Sequence, residues 1–181
     1  MTTNPVNIYE YEAIAKERLA QGDYDFIAGA ATDEITLRRT RAVFDSIMMK
    51  PRMMVDVSQR DLSTTVLGNK IDFPVMLDPA GNHGAAHPDG ELATAKAAGA
   101  MNTIMALSSH ASRTLEDVAE VATGPLWFQY YFFKDRELTL DMARRAEDAG
   151  YSALCVTLDA KIKPKRERNL RNNYAGSVSP N

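Results

Sequence analysis

Apolar residues near the start of the chain recur at three- and four-residue spacing, which is the period of an amphipathic helix. The first set of such positions consists of Tyr11, Ile14, Ala15 and Leu19. Gly22 predicts a break after this helix, and the apolar residues of 24–28 predict a short second helix. The pattern therefore favours a helical N-terminal part.

A third helix is predicted to follow, with Thr32 or Asp33 as its N-cap, because short polar side chains accept hydrogen bonds from the first free N–H groups. Its predicted core contacts are Ile35, Val43 and Ile47. Pro51 predicts the end of this helix. Beyond it, short β-type segments on either side of Gly68-Asn69 predict a hairpin that turns at those two residues.

From residue 73 onward, short apolar runs alternate with helical patterns. The runs predict strands at 75–77, 103–107, 126–130 and 153–157. The helical patterns are 90–100, a helix opened by Thr114 with Asp117 as its capping partner, and 138–149, which Gly150 closes. Nearly continuous apolar strands between helices are typical of a parallel sheet covered by helices.

Two architectures fit this order of elements, a doubly wound sheet and a (β/α)8 barrel. Polar residues gather directly after each predicted strand, at 78–83, 108–110, 129–131 and 157–159. In a barrel, these strand ends meet at the face that carries active sites. Residues 79–84 lack the Gly-x-Gly-x-x-Gly pattern that a dinucleotide-binding sheet places after its first strand. The barrel is therefore favoured.

The predicted fold is α/β, of the (β/α)8 TIM-barrel type, with the N-terminal helices and about the first four β/α units present. Residues 1–72 are predicted to form a helical segment with a short hairpin, and residues 73–181 the first half of the barrel. Residues 176–181 are predicted to be a loose tail. Half a barrel leaves sheet edges bare, so the remaining strands are expected to come from elsewhere.

The composition narrows the range of partners. A formal net charge of -3 at pH 7 is too small to indicate nucleic-acid binding. The single cysteine, Cys155, excludes an internal disulfide and fits a reducing compartment, and the three histidines match no metal-site spacing. The chain shows no secretory signal and no apolar run near the roughly 20 residues that span a bilayer. We therefore expect a cytoplasmic protein without a membrane span or a metal.

Sequence motifs cluster at the predicted strand ends and extend almost from Asn7 to Tyr174. They include Phe73-Pro74-Val75-Met76, His87-Pro88-Asp89-Gly90-Glu91, Trp127-Phe128-Gln129-Tyr130-Tyr131, Lys134-Asp135-Arg136, Thr157-Leu158-Asp159 and Lys165-Arg166-Glu167. Together they resemble the FMN-dependent 2-hydroxy-acid oxidases and dehydrogenases, the family of glycolate oxidase, lactate oxidase and mandelate dehydrogenase. The resemblance covers the N-terminal half of that family.

The resemblance implies a (β/α)8 barrel with FMN at the carboxyl ends of the strands and oxidation of a small 2-hydroxy acid to a 2-oxo acid. It implies that the backbone of Pro79, Ala80 and Gly81 contacts the flavin ring, and that its polar edge is hydrogen-bonded by Ser108, Gln129 and Thr157. Phe26 and His110 would line the substrate pocket. The implied catalytic residues are Tyr131 beside the substrate, Asp159 orienting the catalytic histidine, and Arg166 helping to hold the anionic site.

The chemistry favours such residues independently. A reduced flavin gathers negative charge on its pyrimidine edge, which hydrogen-bond donors such as Ser108 and Gln129 stabilise. An anionic hydroxy acid is suited to an arginine, and a general base needs a carboxylate to orient it, the role open to Asp159. Structural alternatives remain: Asp159 caps a helix, Gln129 satisfies backbone groups, or Tyr131 only packs.

Several positions depart from the family's usual pattern, including Pro164 and Leu170, which replace the usual glycine and aspartate around the basic loop. Phe26 stands where the family usually has a tyrosine, and Asp78 where it commonly has an alanine. A carboxylate at Asp78 that faced the flavin would oppose an anionic reduced ring. The family's catalytic histidine, substrate-binding arginine and phosphate-binding loops belong to the second half of the barrel, so none is assigned in this sequence.

Three hypotheses therefore stay open. In the first, the chain is part of an FMN enzyme acting on a 2-hydroxy acid of the lactate, glycolate or mandelate type. The second half of the barrel then comes from a second polypeptide or a missing C-terminal part. In the second, it is a non-catalytic flavin-binding or assembly subunit that pairs with a full-length homologue. In the third, two copies of the half barrel pair with each other. The family also implies an oligomer.

Overall fold

The computed structural model describes residues 4–176 and 179–181. Its helices are α1 (Ile8–Arg18), α2 (Gln21–Ala28), α3 (Ile35–Asp45), α4 (Glu91–Ala100), α5 (Leu115–Val121), α6 (Arg136–Asp148) and α7 (Glu167–Arg171). Its strands are β1 (Thr64–Val66), β2 (Asn69–Ile71), β3 (Met105–Ser108), β4 (Leu126–Tyr131) and β5 (Ala153–Thr157). Within the described ranges, no helix is long and apolar enough to cross a bilayer.

The chain divides into two compact units. The first unit contains residues 1–59 and 162–176, and the second contains residues 60–161 and 177–181. The domain boundary between residues 72 and 73 stays a prediction.

Polar contacts hold the first unit together. Arg168 on α7 forms an ion pair of 2.6 Å with Glu34 and one of 3.6 Å with Asp25 of α2. Asn172 also donates to Asp25, at 2.7 Å. Among the described residues of this unit none is fully buried, so its elements meet through partly exposed ion pairs and ring contacts, which contribute little stability each.

The predicted break at Gly22 is wrong, because Gly22 lies inside α2 and the chain breaks at Leu19 and Ala20. The glycine has a packing role instead. A Cβ at this position would lie 2.9 Å from Cδ2 of Tyr174, so only a glycine lets that ring lie against the helix.

The predicted details of the third helix are also wrong. Neither Thr32 nor Asp33 caps α3, since Glu34 precedes it in a left-handed conformation with φ of 55° and no side-chain cap bond. The predicted core contacts are exposed: Ile35, Val43 and Ile47. The helix ends at Asp45, well before Pro51. Its apolar spacing marks a face that nothing in the described chain buries.

The predicted hairpin is present in the second unit, but its turn lies one residue earlier than predicted. β1 and β2 pair antiparallel, with Val66 opposite Asn69, so the turn consists of Leu67 and Gly68. Both turn residues have positive φ, 45° and 82°, as the mirror-image turns that suit a hairpin require. Asn69 is therefore a strand residue.

A parallel sheet in the order β3-β4-β5 forms the centre of the second unit. The predicted strand at 75–77 is wrong as a strand, because only an isolated parallel bridge joins Leu77 to Met105 of β3. Pro74 and Pro79 flank this segment and lack the N–H groups that a longer ladder needs. The three later predicted strands are confirmed within two residues at each end.

Helices α4, α5 and α6 cover one face of this sheet. The buried cluster joins strand residues, helix residues and loop residues, including Leu107, Phe128, Tyr130, Ala95, Ala98, Leu115, Val118, Met142 and Ala146. The predicted helix signals are confirmed. The Thr114 hydroxyl accepts from the Asp117 N–H at 3.1 Å, and Gly150 follows α6 with φ of 86°.

The chain end docks on the second unit, so the predicted loose tail is wrong where the structure describes it. The Ser179 hydroxyl donates to the carbonyls of Ser109 and Ala111 at 2.8 and 3.0 Å. The Asn181 side chain accepts from the Leu115 N–H at 2.8 Å and so caps α5. Ser177 and Val178 lie outside the described residues.

Gly99 of α4 offers a test of this packing. A Cβ there would lie 3.0 Å from the backbone nitrogen of Gly124 and would also press on Thr123. Helix propensity alone favours alanine over glycine by about 1 kcal/mol. We expect the backbone clash to outweigh it, so Gly99→Ala should lower the free energy of unfolding in urea by about 1–3 kcal/mol.

Ala97, exposed on the same helix, supplies the control. Ala97→Gly should lower the free energy of unfolding by about 1 kcal/mol through propensity alone. A more stable Gly99→Ala protein would contradict the close approach of α4 to Gly124.

Candidate functional site

A row of polar side chains crosses the parallel sheet at its carboxyl end. Ser108 lies opposite Gln129 in the β3–β4 register, and Tyr131 lies opposite Thr157 in the β4–β5 register. The Ser108 hydroxyl donates to Oε1 of Gln129 at 3.1 Å, and Nε2 of Gln129 donates to the Thr157 hydroxyl at 2.7 Å. The structure therefore brings together three residues that the sequence assigned to one ligand edge.

These bonds fix what the row offers to a ligand. Because Thr157 accepts from Gln129, its own hydroxyl hydrogen remains available, and the Gln129 amide keeps a second N–H. Ser108 and Gln129 are each only 4% exposed, so a bond to a ligand there meets little competition from water. The row can donate hydrogen bonds to a ligand edge that carries negative charge.

The row lies on the sheet face opposite the helices. Side chains alternate along a strand, so Phe128 and Tyr130 face the helices while Trp127, Gln129 and Tyr131 face the other way. The indole Nε1 of Trp127 is buried and has no hydrogen-bond partner among the described residues. Buried donors are nearly always paired, so this nitrogen is an exception on the face that carries the row.

Tyr131 and His110 meet at the same end of the sheet. Their ring centroids are 5.1 Å apart, and the rings are nearly perpendicular at 84°. The His110 carbonyl accepts from the Asn82 N–H at 3.0 Å, which joins the loop after β3 to the loop after Leu77. A Cβ on Gly81 would lie 3.0 Å from both Cβ and the carbonyl oxygen of His110, so the two loops are in close contact.

The loop after Leu77 contains Pro79, Ala80 and Gly81. Because Leu77 forms a parallel bridge with Met105 of β3, this loop lies at the same end of the sheet as Ser108. Asp78, which precedes these three residues, influences Cys155 of β5. Burial raises the pKa of the Cys155 thiol, and the negative charge of Asp78 raises it further. Leu77 packs against the helix-side core, so alternation directs the following Asp78 toward the side of the sheet that carries the row, where Cys155 also lies.

Phe26 and Arg166 contact each other within the first unit. Nη1 of Arg166 donates to the Phe26 carbonyl at 3.0 Å, and its guanidinium lies 5.1 Å from the centre of the Phe26 ring. That ring stacks on Tyr174 at 5.2 Å. The guanidinium is thus positioned by a carbonyl and an aromatic face.

Asp159 lies in the second unit, just after β5, with an exposed side chain. No helix begins beside it in the described chain, because the next one is α7 at Glu167. The alternative that Asp159 caps a helix is therefore wrong. The catalytic role predicted for it, like the other roles predicted for the site residues, stays a prediction.

The chain matches the family model described as FMN-dependent dehydrogenase over residues 15–181. The chain belongs to the FMN-dependent dehydrogenase family. This match confirms the resemblance found in the sequence motifs. The donor set of Ser108, Gln129 and Thr157 is chemically suited to the cofactor after which the family is described.

Among curated relatives, an L-lactate oxidase of Nostoc sp. is 46% identical over 95% of this chain and 48% of its own length. Glycolate oxidase 3 of Arabidopsis thaliana is 45% identical over 93% of this chain and 46% of its own length. The chain thus spans about half the length of the curated relatives it matches.

Solved structures also match nearly all of this chain over about half of their own length. A mandelate oxidase with 3,3-difluoro-2-hydroxy-3-phenylpropionic acid superposes with a TM-score of 0.90 at 32% identity, over 94% of this chain and 51% of that one. An oxidized active mutant of (S)-mandelate dehydrogenase superposes with a TM-score of 0.91 at 36% identity, over 96% of this chain and 49% of that one. The predicted fold class, a partial (β/α)8 barrel, is confirmed by this likeness.

The influence of Asp78 on Cys155 can be tested through the thiol, which is the chain's single cysteine. Removing the negative charge in Asp78→Asn should lower the thiol pKa and enlarge the thiolate fraction. We expect alkylation by iodoacetamide at mildly alkaline pH to become severalfold faster, measured by intact mass.

Asp72→Asn is the matched control, because Asp72 is also exposed but bonds to Asn102 at 2.6 Å. Its alkylation rate should equal that of the unmodified protein. An unchanged rate in Asp78→Asn would show that its carboxylate does not act on the thiol.

Proposed function

We propose that this chain supplies the N-terminal half of an FMN-dependent enzyme that oxidises a small 2-hydroxy acid to the 2-oxo acid. The observation that carries the proposal is the hydrogen-bonded row Ser108–Gln129–Thr157, at the carboxyl end of a parallel sheet in a chain of this family. Relatives named lactate oxidase, glycolate oxidase and mandelate oxidase support a substrate of this class.

FMN, when bound, supplies the acceptor for the two electrons that leave the hydroxyl-bearing carbon. In this proposal, Gln129 and Thr157 hold the polar edge of the ring through the donors that their mutual bond leaves free. Ser108 uses its hydroxyl hydrogen to orient the Gln129 amide and offers its oxygen to the ring. The backbone of residues 79–81 lies against the ring. The close contact of Gly81 with His110 supports a fixed position for that backbone.

The substrate is proposed to lie beside Tyr131, whose hydroxyl can donate to an anionic group. Its edge contact with His110 favours both as one wall of the pocket. Phe26 and Arg166 are proposed to contribute an apolar surface and a cation for the carboxylate. Asp159 is proposed to orient a histidine from the second half of the barrel, as its exposed carboxylate permits.

The second half of the barrel is proposed to come from a second polypeptide or from a further part of the protein. The matched relatives, which are about twice as long, support this. We also propose a cytoplasmic oligomer, with the unpaired Cys155 thiol in keeping with a reducing compartment. Intact mass of the protein purified from its source would identify a companion chain.

A second candidate is a flavin-binding or assembly subunit without catalysis. Asp78 supports it, because its negative charge on the side of the row opposes an anionic reduced ring. Phe26 supports it as well, since it offers no hydroxyl to a substrate. Bleaching of the flavin absorbance by lactate, glycolate or mandelate would favour the enzyme, and a stable yellow colour with all three would favour the subunit.

The proposed FMN site can be tested with the chain's single tryptophan, Trp127, as a fluorescent reporter on the face of the row. FMN should quench its emission. Gln129→Leu removes the amide and leaves the buried Ser108 hydroxyl without its acceptor. We expect the FMN dissociation constant to rise about tenfold, in line with the 0.5–1.5 kcal/mol typical of one hydrogen bond.

Ser152→Ala is the matched control. It removes a bond of 3.2 Å to the Leu126 carbonyl at the opposite end of the same sheet and should leave FMN affinity unchanged. A colourless protein that takes up no FMN would contradict the proposal. Equal weakening in both variants would contradict a specific role for the row.

A further inference from the structure

Glu91, the first residue of α4, is a fully buried carboxylate with 0% exposure. Its Oε1 accepts from the His83 N–H and from the Ser112 N–H, both at 2.9 Å. Its Oε2 accepts from the Ser112 hydroxyl at 2.6 Å. These bonds satisfy a group that would otherwise be strongly unfavourable to bury.

The two partners of Glu91 lie on different strand-end loops. His83 belongs to the loop after Leu77, which contains residues 79–81. Ser112 belongs to the loop after β3, which follows Ser108. Further bonds join the same loops, since the Gly84 N–H donates to the Ser112 hydroxyl at 2.9 Å. Glu91 therefore connects both loops to the start of α4.

A charged carboxylate suits this position better than a neutral side chain. Burial raises the pKa of Glu91, but the hydrogen bonds from Ser112 and His83 lower it more, so the net pKa lies below its ordinary value. An ionised carboxylate accepts from all three donors at once. An amide would keep Oε1 for the two backbone N–H groups but turn its NH2 group toward the Ser112 hydroxyl, which already accepts from the Gly84 N–H and would lose its own acceptor.

Little space surrounds this cluster. A Cβ on Gly84 would lie 2.7 Å from the Ser112 hydroxyl oxygen, and one on Gly90 would lie 3.0 Å from it. Ser112 is thus held between two glycines as well as by Glu91. A displacement of Ser112 would move the loop that also carries His110.

We infer that Glu91 is a positioning residue that fixes the loop of residues 79–81 relative to the loop that follows Ser108. This inference rests on the proposed function, in which both loops contact FMN. Glu91 itself points to the backbone of the loops and is not assigned a contact with cofactor or substrate. Its effect on the cofactor is transmitted by the His83 and Ser112 backbone.

Glu91→Gln tests the inference, because it keeps the shape of the side chain and removes the charge. Two readouts are measured on the whole protein: amide hydrogen exchange at His83 and Ser112, and FMN affinity from Trp127 quenching. We expect faster exchange at both amides and about tenfold weaker FMN binding, the lower end of the 10- to 100-fold losses seen when outer hydrogen-bond partners of metal sites are removed.

Glu116→Gln is the matched control. Glu116 on α5 is also a paired carboxylate, but its bonds of 2.8 and 3.0 Å go to Arg145 on α6 and not to either loop. It should change neither readout. If Glu91→Gln does not fold, Ser112→Ala removes only the hydroxyl of the cluster and is read by exchange at His83 and by FMN affinity.

The outcomes separate this inference from the proposed function. Faster exchange together with weaker FMN binding supports it. Unchanged exchange overturns it, as does faster exchange with unchanged FMN affinity, even if thermal stability falls. If the unmodified chain takes up no FMN, the proposed function fails for this chain, and amide exchange alone then decides whether Glu91 holds the two loops.

Discussion

The parallel register of β3, β4 and β5 is the constraint on which the candidate site depends. It places Ser108 beside Gln129 and Thr157 beside Tyr131, at the same end of the sheet. A shift of one residue would turn Gln129 toward the helices and leave its amide among apolar side chains. The register is therefore as much a requirement of the polar row as of the core.

The two faces of the sheet have different roles, since one forms the buried core and the other carries the candidate site. On the helix side, Phe128 is fully buried among residues of α4, α5 and α6, and burial of this kind provides the main free energy of folding. On the other side, Ser108 and Gln129 are buried only because they bond to each other and to Thr157. The helix-side core thus supports a polar face that could not sustain the fold alone.

The sequence predicts the sheet better than the connections around it. Nearly continuous apolar runs located β4 and β5, with Gln129 as the polar exception inside β4. Apolar spacing could not tell that Ile35 is exposed, because periodicity reports a face and not what covers it. Glu91 lay within a recognised motif, but its role depends on Ser112, which only the folded loops bring near.

The surroundings of β5, the last strand of the sheet, show that the sheet is not fully covered. Leu154 and Val156 of β5 lie on the helix side, yet they remain 44% and 39% exposed because no described helix covers them. On the opposite face, the buried Trp127 indole has no acceptor among the described residues. In the proposed function, further strands and helices beside β5 would cover this apolar surface. The same elements would close the proposed barrel around the row, so one addition would complete both the core and the candidate site.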